Sequence, residues 1–269
     1  MAQSTHGPLT QGEIERGLTA LGVERGAVLL VHSSLSALGW VVGGPVTVVR
    51  ALEAVVGPEG SLLMPSYSES APEPSLWEDP PVPRDWWETI RTNGPPYDPA
   101  RTPTRGLGAI AEAFRTQPGT QRSSHPNNSF AARGPKAGFL VGGHELDGSL
   151  GEGSPLARLY ELEGRVLLLG VRHHSNSSLH LAEYRAQWPG RSRMVHFEAR
   201  VLQSGAVSSE HFVDIDLDSD DFDRLGEEYE RSGGLVALGR IGLAECRLFA
   251  QRPIVDYAVR WIERNRLSR

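Results

Sequence analysis

Residues 27–64, AVLLVHSSLSALGWVVGGPVTVVRALEAVVGPEGSLLM, decide the fold class. Ala27 to His32 is a short apolar run that reads as a buried strand, and it ends in the small polar cluster His32-Ser33-Ser34. Gly43-Gly44-Pro45 then opens a helix through Val56, with Pro45 at the favoured first helical position. Ser61 to Met64 is the next strand. Strand, loop, helix, strand predicts an α/β layer arrangement with helices covering a sheet.

The same pattern extends outward from this unit. Upstream, Thr10 and Glu13 form a capping-box pair, and Ile14, Leu18 and Leu21 follow at helical spacing as far as Gly22. Downstream, residues 66–104 break the pattern with nine prolines and Trp77, Trp86 and Trp87. A loop this long reads as a lid or binding loop, or else as a disordered insertion, which three tryptophans disfavour. An amphipathic helix over 106–115 and a short strand over 128–133 follow. Arg165 to Val171, RVLLLGV, is the strongest strand in the chain, and it leads through His173-His174-Ser175-Asn176 into a helix carrying His180, Glu183 and Tyr184. Strands over 194–203 and 206–217 are joined at Ser204-Gly205 as a hairpin. Helices near 220–231 and 253–264 close the chain around a strand near 246–250. No repeat and no interdomain linker interrupts this order, so one domain is expected over 1–269.

Composition removes several function classes. A single cysteine, Cys246, excludes an internal disulfide framework and any multi-cysteine zinc or iron–sulfur site. With 27 basic against 33 acidic side chains, a net charge of −6 argues against nucleic acid as partner and is compatible with a cationic small molecule. No stretch approaches the ~20 apolar residues of a membrane span, and Met1 to Pro8 lacks a signal-peptide pattern. A soluble, cytoplasmic protein without a membrane partner is expected.

Three groups of residues could carry chemistry. In the first, His32, Ser33 and Ser34 through Gly43 and Gly44 lie at a strand-to-helix crossover, where small residues let N–H groups and hydroxyls approach a phosphate. The pattern is neither a Walker loop nor G-x-G-x-x-G, so a tight turn without a ligand is the plain alternative. In the second, His180 and Glu183 stand three apart on one helix face. An imidazole titrates near neutral pH, which suits a base for an amine or thiol nucleophile, and a carboxylate at that spacing can orient its ring. A packed structural histidine fits the spacing as well. A metal site built on His173, His174, His180 and Glu183 lacks any recognised ligand spacing, so no metal is expected. In the third, Asp214, Asp216 and Asp218 alternate along a predicted strand, which would place three carboxylates on one face, suited to a polycation or to guarding a strand edge.

Five motifs in order carry a resemblance: VHSSLSALGWVVGG (31–44), YDPARTPTRGLGAIAEAFR (97–115), RSSHPNNSFAARG (122–134), GSPLARLYELEGRVLLLGV (153–171) and SSLHLAEY (177–184). Together they resemble the aminoglycoside 3-N-acetyltransferases, the antibiotic acetyltransferases outside the GNAT superfamily, over about residues 10–264. The resemblance implies a single-domain three-layer α/β/α fold with a central mixed β-sheet. It also implies acetyl transfer from acetyl-CoA to the 3-amino group of the deoxystreptamine ring of an aminoglycoside, conferring resistance. His180 matches the family's catalytic histidine and Glu183 its acidic partner, with Ser177 where that motif has threonine. His32, Ser33, Ser34, Gly43, Gly44, Thr104, Ser124 and Ser129 fall in the coenzyme A segments, and Tyr67, Asp214 and Asp216 in substrate-binding positions, with Asp218 able to replace either aspartate. An acyltransferase of the same fold acting on another amine, a metal-dependent hydrolase and a non-catalytic coenzyme A or antibiotic binder all remain open from the residues alone.

Overall fold

The structure is a computed structural model that describes residues 7–68, 74, 81–203 and 205–267. Seven strands form one mixed sheet in the order β3-β4-β2-β1-β5-β9-β8. β1 (Val28–Ser33) lies parallel to β2 (Ser61–Pro65) on one side and to β5 (Arg165–Leu169) on the other. β4 (Phe130–Arg133) and the two-residue β3 (Gln121–Arg122) extend one flank antiparallel, and β9 (Ala244–Ala250) and β8 (Val236–Ile241) extend the other.

Alternation along the strands assigns the two helix layers. Leu29, Val31, Leu62, Met64, Leu167 and Leu169 face α1 (Gln11–Leu21), α2 (Gly44–Val56) and α4 (Gly108–Arg115). Leu30, Leu63, Val166 and Leu168 face the opposite way. They pack with α5 (Ala137–Val141), α6 (Pro155–Glu161), α7 (Ser178–Arg185), α8 (Phe222–Arg231) and α9 (Gln251–Asn265). The expected three-layer α/β/α architecture with a mixed central sheet is what these faces build.

Local signals explain the elements that frame the site. Glu13 reaches back to the Thr10 backbone N–H at 2.8 Å, and Gly22 at φ 99° ends α1 in the left-handed conformation. Gly170, φ 73°, turns the chain out of β5, where a Cβ would stand 2.6 Å from the Ala37 Cβ. That close approach needs glycine.

Two expectations are corrected. The 66–104 segment is not structureless throughout: α3 (Trp87–Asn93) forms within it, and the Trp87 indole N–H donates to the Val82 carbonyl at 3.2 Å. Trp77, with residues 69–73 and 75–80, lies outside the described residues, as do residues 1–6 and the hairpin residue Ser204. The hairpin β6 (Met194–Gln203) and β7 (Ala206–Ile215) stands apart from the central sheet, and its second strand stops two residues short of Leu217. Tyr97 exchanges backbone hydrogen bonds with Arg200 and Leu202 at 2.7 and 2.8 Å, fastening the end of the long segment to this ribbon. No helix among the described residues is long and apolar enough to cross a membrane.

Candidate active site

Ligands in open α/β sheets bind outside the carboxyl ends of parallel strands, where the strand order reverses. Here β1 is that point, with β2 to one side and β5 to the other. A cleft of about 490 Å³ opens there. His32 to Ser36 form its floor, Pro65 and Tyr67 one wall, Gly106 to Ala109 at the start of α4 another, and His174, Ser175, Ser177 and His180 the third.

His180 reaches the cleft because Asn176 arrests the chain before α7, its side-chain carbonyl accepting from the Ser178 N–H at 3.2 Å. One turn into α7 the His180 side chain is 15% exposed, and its Nδ1 lies 2.5 Å from Oε2 of the fully buried Glu183. An ionised carboxylate only accepts, so Nδ1 carries the proton and Nε2 is left as the basic nitrogen. Across the cleft His32 is buried, and its Nε2 has no hydrogen-bond partner. Burial first, and the neighbouring His180 second, push its imidazole down to about 3. It is therefore neutral at physiological pH.

The other predicted residues divide. Ser33 and Ser34 line the cleft, and the Ser34 hydroxyl lies 3.1 Å from that of Ser36. Tyr67 lines it too, bonded through its hydroxyl to Ser177. Gly43 and Gly44 do not line it; both have positive φ and turn the chain into α2. Thr104 stands just outside, with its backbone N–H donating to Glu112 at 2.9 Å. Ser124 is exposed, and Ser129 is buried with its hydroxyl already engaged, donating to the Ser66 carbonyl and accepting from Arg122.

The acidic strand face is not formed. Asp214 points inward, 3% exposed, and accepts from the Ser149 N–H and hydroxyl, the Tyr184 hydroxyl and the Ile215 N–H. It ties the hairpin to the core and does not reach the cleft. Asp216 and Asp218 follow the end of β7, where the strand alternation is lost because the Asp218 N–H bonds Glu183 and its carbonyl accepts from Arg266. Asp216 is exposed and Asp218 half-buried.

The sequence reading missed Gly106 and Gly108, whose positive φ values open the start of α4 onto the cleft, although the paired glycines were a signal for a close backbone approach. It also missed Arg266, which no spacing rule could connect to Glu183. The histidines do not assemble: His173 bonds Glu230 at 2.8 Å and His174 pairs with Asp223 at 3.6 Å. Among the described residues no group of three or more metal-capable side chains comes together.

Residues 30–263 match the family model described as aminoglycoside 3-N-acetyltransferase. The chain belongs to the aminoglycoside 3-N-acetyltransferase family. Among relatives, an SPbeta prophage-derived aminoglycoside N(3')-acetyltransferase-like protein, YokD, of Bacillus subtilis is 40% identical over 98% of this chain and 96% of its own length. The crystal structure of YokD superposes with a TM-score of 0.93. Aminoglycoside N(3)-acetyltransferase VII of Streptomyces paromomycinus is 38% identical, covering 98% of this chain and 94% of the relative. A binary structure of AAC-IIIb with CoASH is 33% identical over 98% of this chain and 99% of the other, at a TM-score of 0.87. As an aminoglycoside 3-N-acetyltransferase the protein is an acyltransferase, and the chemistry to be explained is transfer of an acyl group to an amine.

Proposed function

We propose that the protein moves the acetyl group of acetyl-CoA to the 3-amino group of the deoxystreptamine ring of an aminoglycoside, by direct transfer with His180 as general base. One observation carries the reading: in a chain of this family, the His180–Glu183 pair at 2.5 Å opens onto a cleft of about 490 Å³. The CoASH-bound relative supports coenzyme A as a ligand of this protein.

His180 Nε2 takes a proton from the amine as its nitrogen attacks the thioester carbonyl carbon. Charge builds on the carbonyl oxygen, and the hydroxyls of Ser33 and Ser34 and the backbone of the Gly106–Gly108 turn, which line the cleft, are the donors placed to meet it. When the intermediate collapses the carbon–sulfur bond breaks, the amide remains, and the imidazolium returns its proton to the leaving thiolate. Glu183 holds the ring and offsets its transient positive charge. Cys246 takes no part: it lies in β9, 1% exposed, and burial pushes its thiol up to about 11. Acetylation removes a cation from the antibiotic, which is the basis of resistance.

The test is an acetylation assay over a panel of aminoglycosides and unrelated amines, with free thiol release as readout. Wild-type protein acetylates deoxystreptamine-containing drugs at position 3. His180→Ala folds and binds both substrates but turns over at least ~100-fold more slowly. Near-normal turnover by that variant rejects the base.

A further inference from the structure

The carboxylate that holds His180 is itself held from behind. Glu183 gives Oε2 to the histidine, while its Oε1 accepts from Arg266 Nη1 at 2.5 Å and from the Asp218 N–H at 3.2 Å. The Arg266 side chain is fully buried. Its Nε and Nη2 donate to the two oxygens of Asp221 at 2.9 and 2.5 Å, and Nη2 also donates to the Asp218 carbonyl at 2.8 Å. The guanidinium lies 4.9 Å from the Trp188 ring and 5.7 Å from that of Phe222, and Phe222 stands 4.8 Å from His180. A continuous array therefore runs His180–Glu183–Arg266–Asp221.

A fully buried carboxylate beside a histidine, with no cation of its own, would hold a proton within the pair. Either the acid protonates because it is desolvated, or the imidazole becomes imidazolium to balance it. In both forms Nε2 is less able to accept a proton from an amine. A permanently charged guanidinium on the far oxygen changes this balance, since it stabilises the carboxylate without blocking Oε2. Its planar fork also spans Glu183 and Asp221 together, which a lysine cannot do.

We propose that Arg266 is a positioning residue of the transfer site: it fixes Glu183 through its second oxygen and lowers the proton affinity of the His180–Glu183 pair. The proposal rests on the reading of His180 as the base. Other titratable groups around His180 are His32 from β1, His174 ahead of α7 and Tyr67 beyond β2, all lining the same cleft, with Asp218 and Asp221 behind Glu183. Arg266 is the guanidinium in direct contact with Glu183.

The experiment compares wild type, Arg266→Met, Arg266→Lys and Asp221→Asn. It measures kcat and KM against pH by thiol release, the titration of the His180 ring by NMR in ligand-free protein, and folding by circular dichroism. Arg266→Met is expected to move the acid limb of kcat/KM, and the ring titration with it, upward by about one to two pH units, with both KM values within about threefold. Asp221→Asn removes a negative charge and moves the limb the other way. Arg266→Lys keeps the limb near its wild-type place and loses about three- to tenfold in kcat. A folded Arg266→Met protein with unmoved limb and ring titration overturns the proposal. If that variant fails to fold, wild-type kcat in Arg266→Lys together with an unmoved limb in Asp221→Asn overturns it instead. Failure of the base reading is seen separately, as near-normal turnover in His180→Ala.

Discussion

The hydroxyl of Tyr67 lies 2.6 Å from the hydroxyl of Ser177, joining two walls of the cleft that are 110 residues apart in the chain. Tyr67 packs edge-on against Phe130 at 5.6 Å, and burial raises its phenol well above the ordinary value, so it remains protonated. The bond secures the residue just ahead of the helix that carries His180. Tyr67→Phe is expected to lower stability by about 1 kcal/mol in urea unfolding, the usual effect of one lost hydrogen bond. It should also reduce kcat/KM by several-fold; an unchanged kcat/KM would show that the link supports the fold only.

Substitution of Glu183 has two consequences because the residue faces two partners. Glu183→Gln removes the charge opposite His180 and leaves the buried Arg266 with one carboxylate where it had two. Breaking a buried ion pair on one side typically costs about 3–5 kcal/mol, so a large fall in melting temperature accompanies a loss of at least about tenfold in kcat. Glu152→Gln is the contrast. That carboxylate is 65% exposed against Arg185, and surface pairs of this kind contribute about 0–1 kcal/mol. Similar melting temperatures for the two variants would contradict the burial argument.

Acid is expected to weaken the fold as the pH falls below about 6.5. Burial pushes His32 and His144 down to about 3 and His125 to about 4, each held neutral in the folded protein. Unfolded, each would protonate near 6.5, so the unfolded chain binds more protons below that pH. Their contribution is complete above about pH 6.5 and falls toward pH 4 by up to about 1.4 kcal/mol per pH unit for each ring. Urea midpoints measured from pH 7.5 to 4.5 check this. A flat profile across that range would mean that the three rings are not desolvated.

Asp214 is a fastening for the hairpin, and its removal is expected to read as instability. Asp214→Asn exchanges a carboxylate accepting from Ser149 and Tyr184 for an amide that cannot serve all those donors. Hydrogen bonds to a charged group are worth about 1.5–3 kcal/mol, and a loss of that order is expected with acceptor KM within about threefold. A tenfold rise in KM at unchanged stability would return Asp214 to the substrate.

The layered architecture was legible because its strands are unbroken apolar runs: Val28–Ser33 and Arg165–Leu169 could be little else, and Thr10 with Glu13 marked the first helix. Short elements were harder. α6 had its signals in Ser154 and Pro155, but its seven residues are too few for a convincing period. β8 carries Gly239 in mid-strand and alternates weakly. The aspartate run was misread because strand periodicity was carried past Ile215, where side-chain and backbone bonds from Glu183 and Arg266 redirect the chain. His180 and Glu183 could be paired by helical spacing alone, whereas Arg266, 83 residues beyond Glu183, comes into contact only through the packing of α7 and α9.

Chain order gives the buried guanidinium a temporal meaning. Every other residue of the array, and every wall of the cleft, precedes Arg266 in the polypeptide, so a ribosome completes them first. Until α9 docks, the newborn chain carries its dyad without the anchor behind it. Competence for acyl transfer thus waits on the docking of α9, and anything that loosens that helix at Arg266 would disturb the centre of the enzyme rather than its margin.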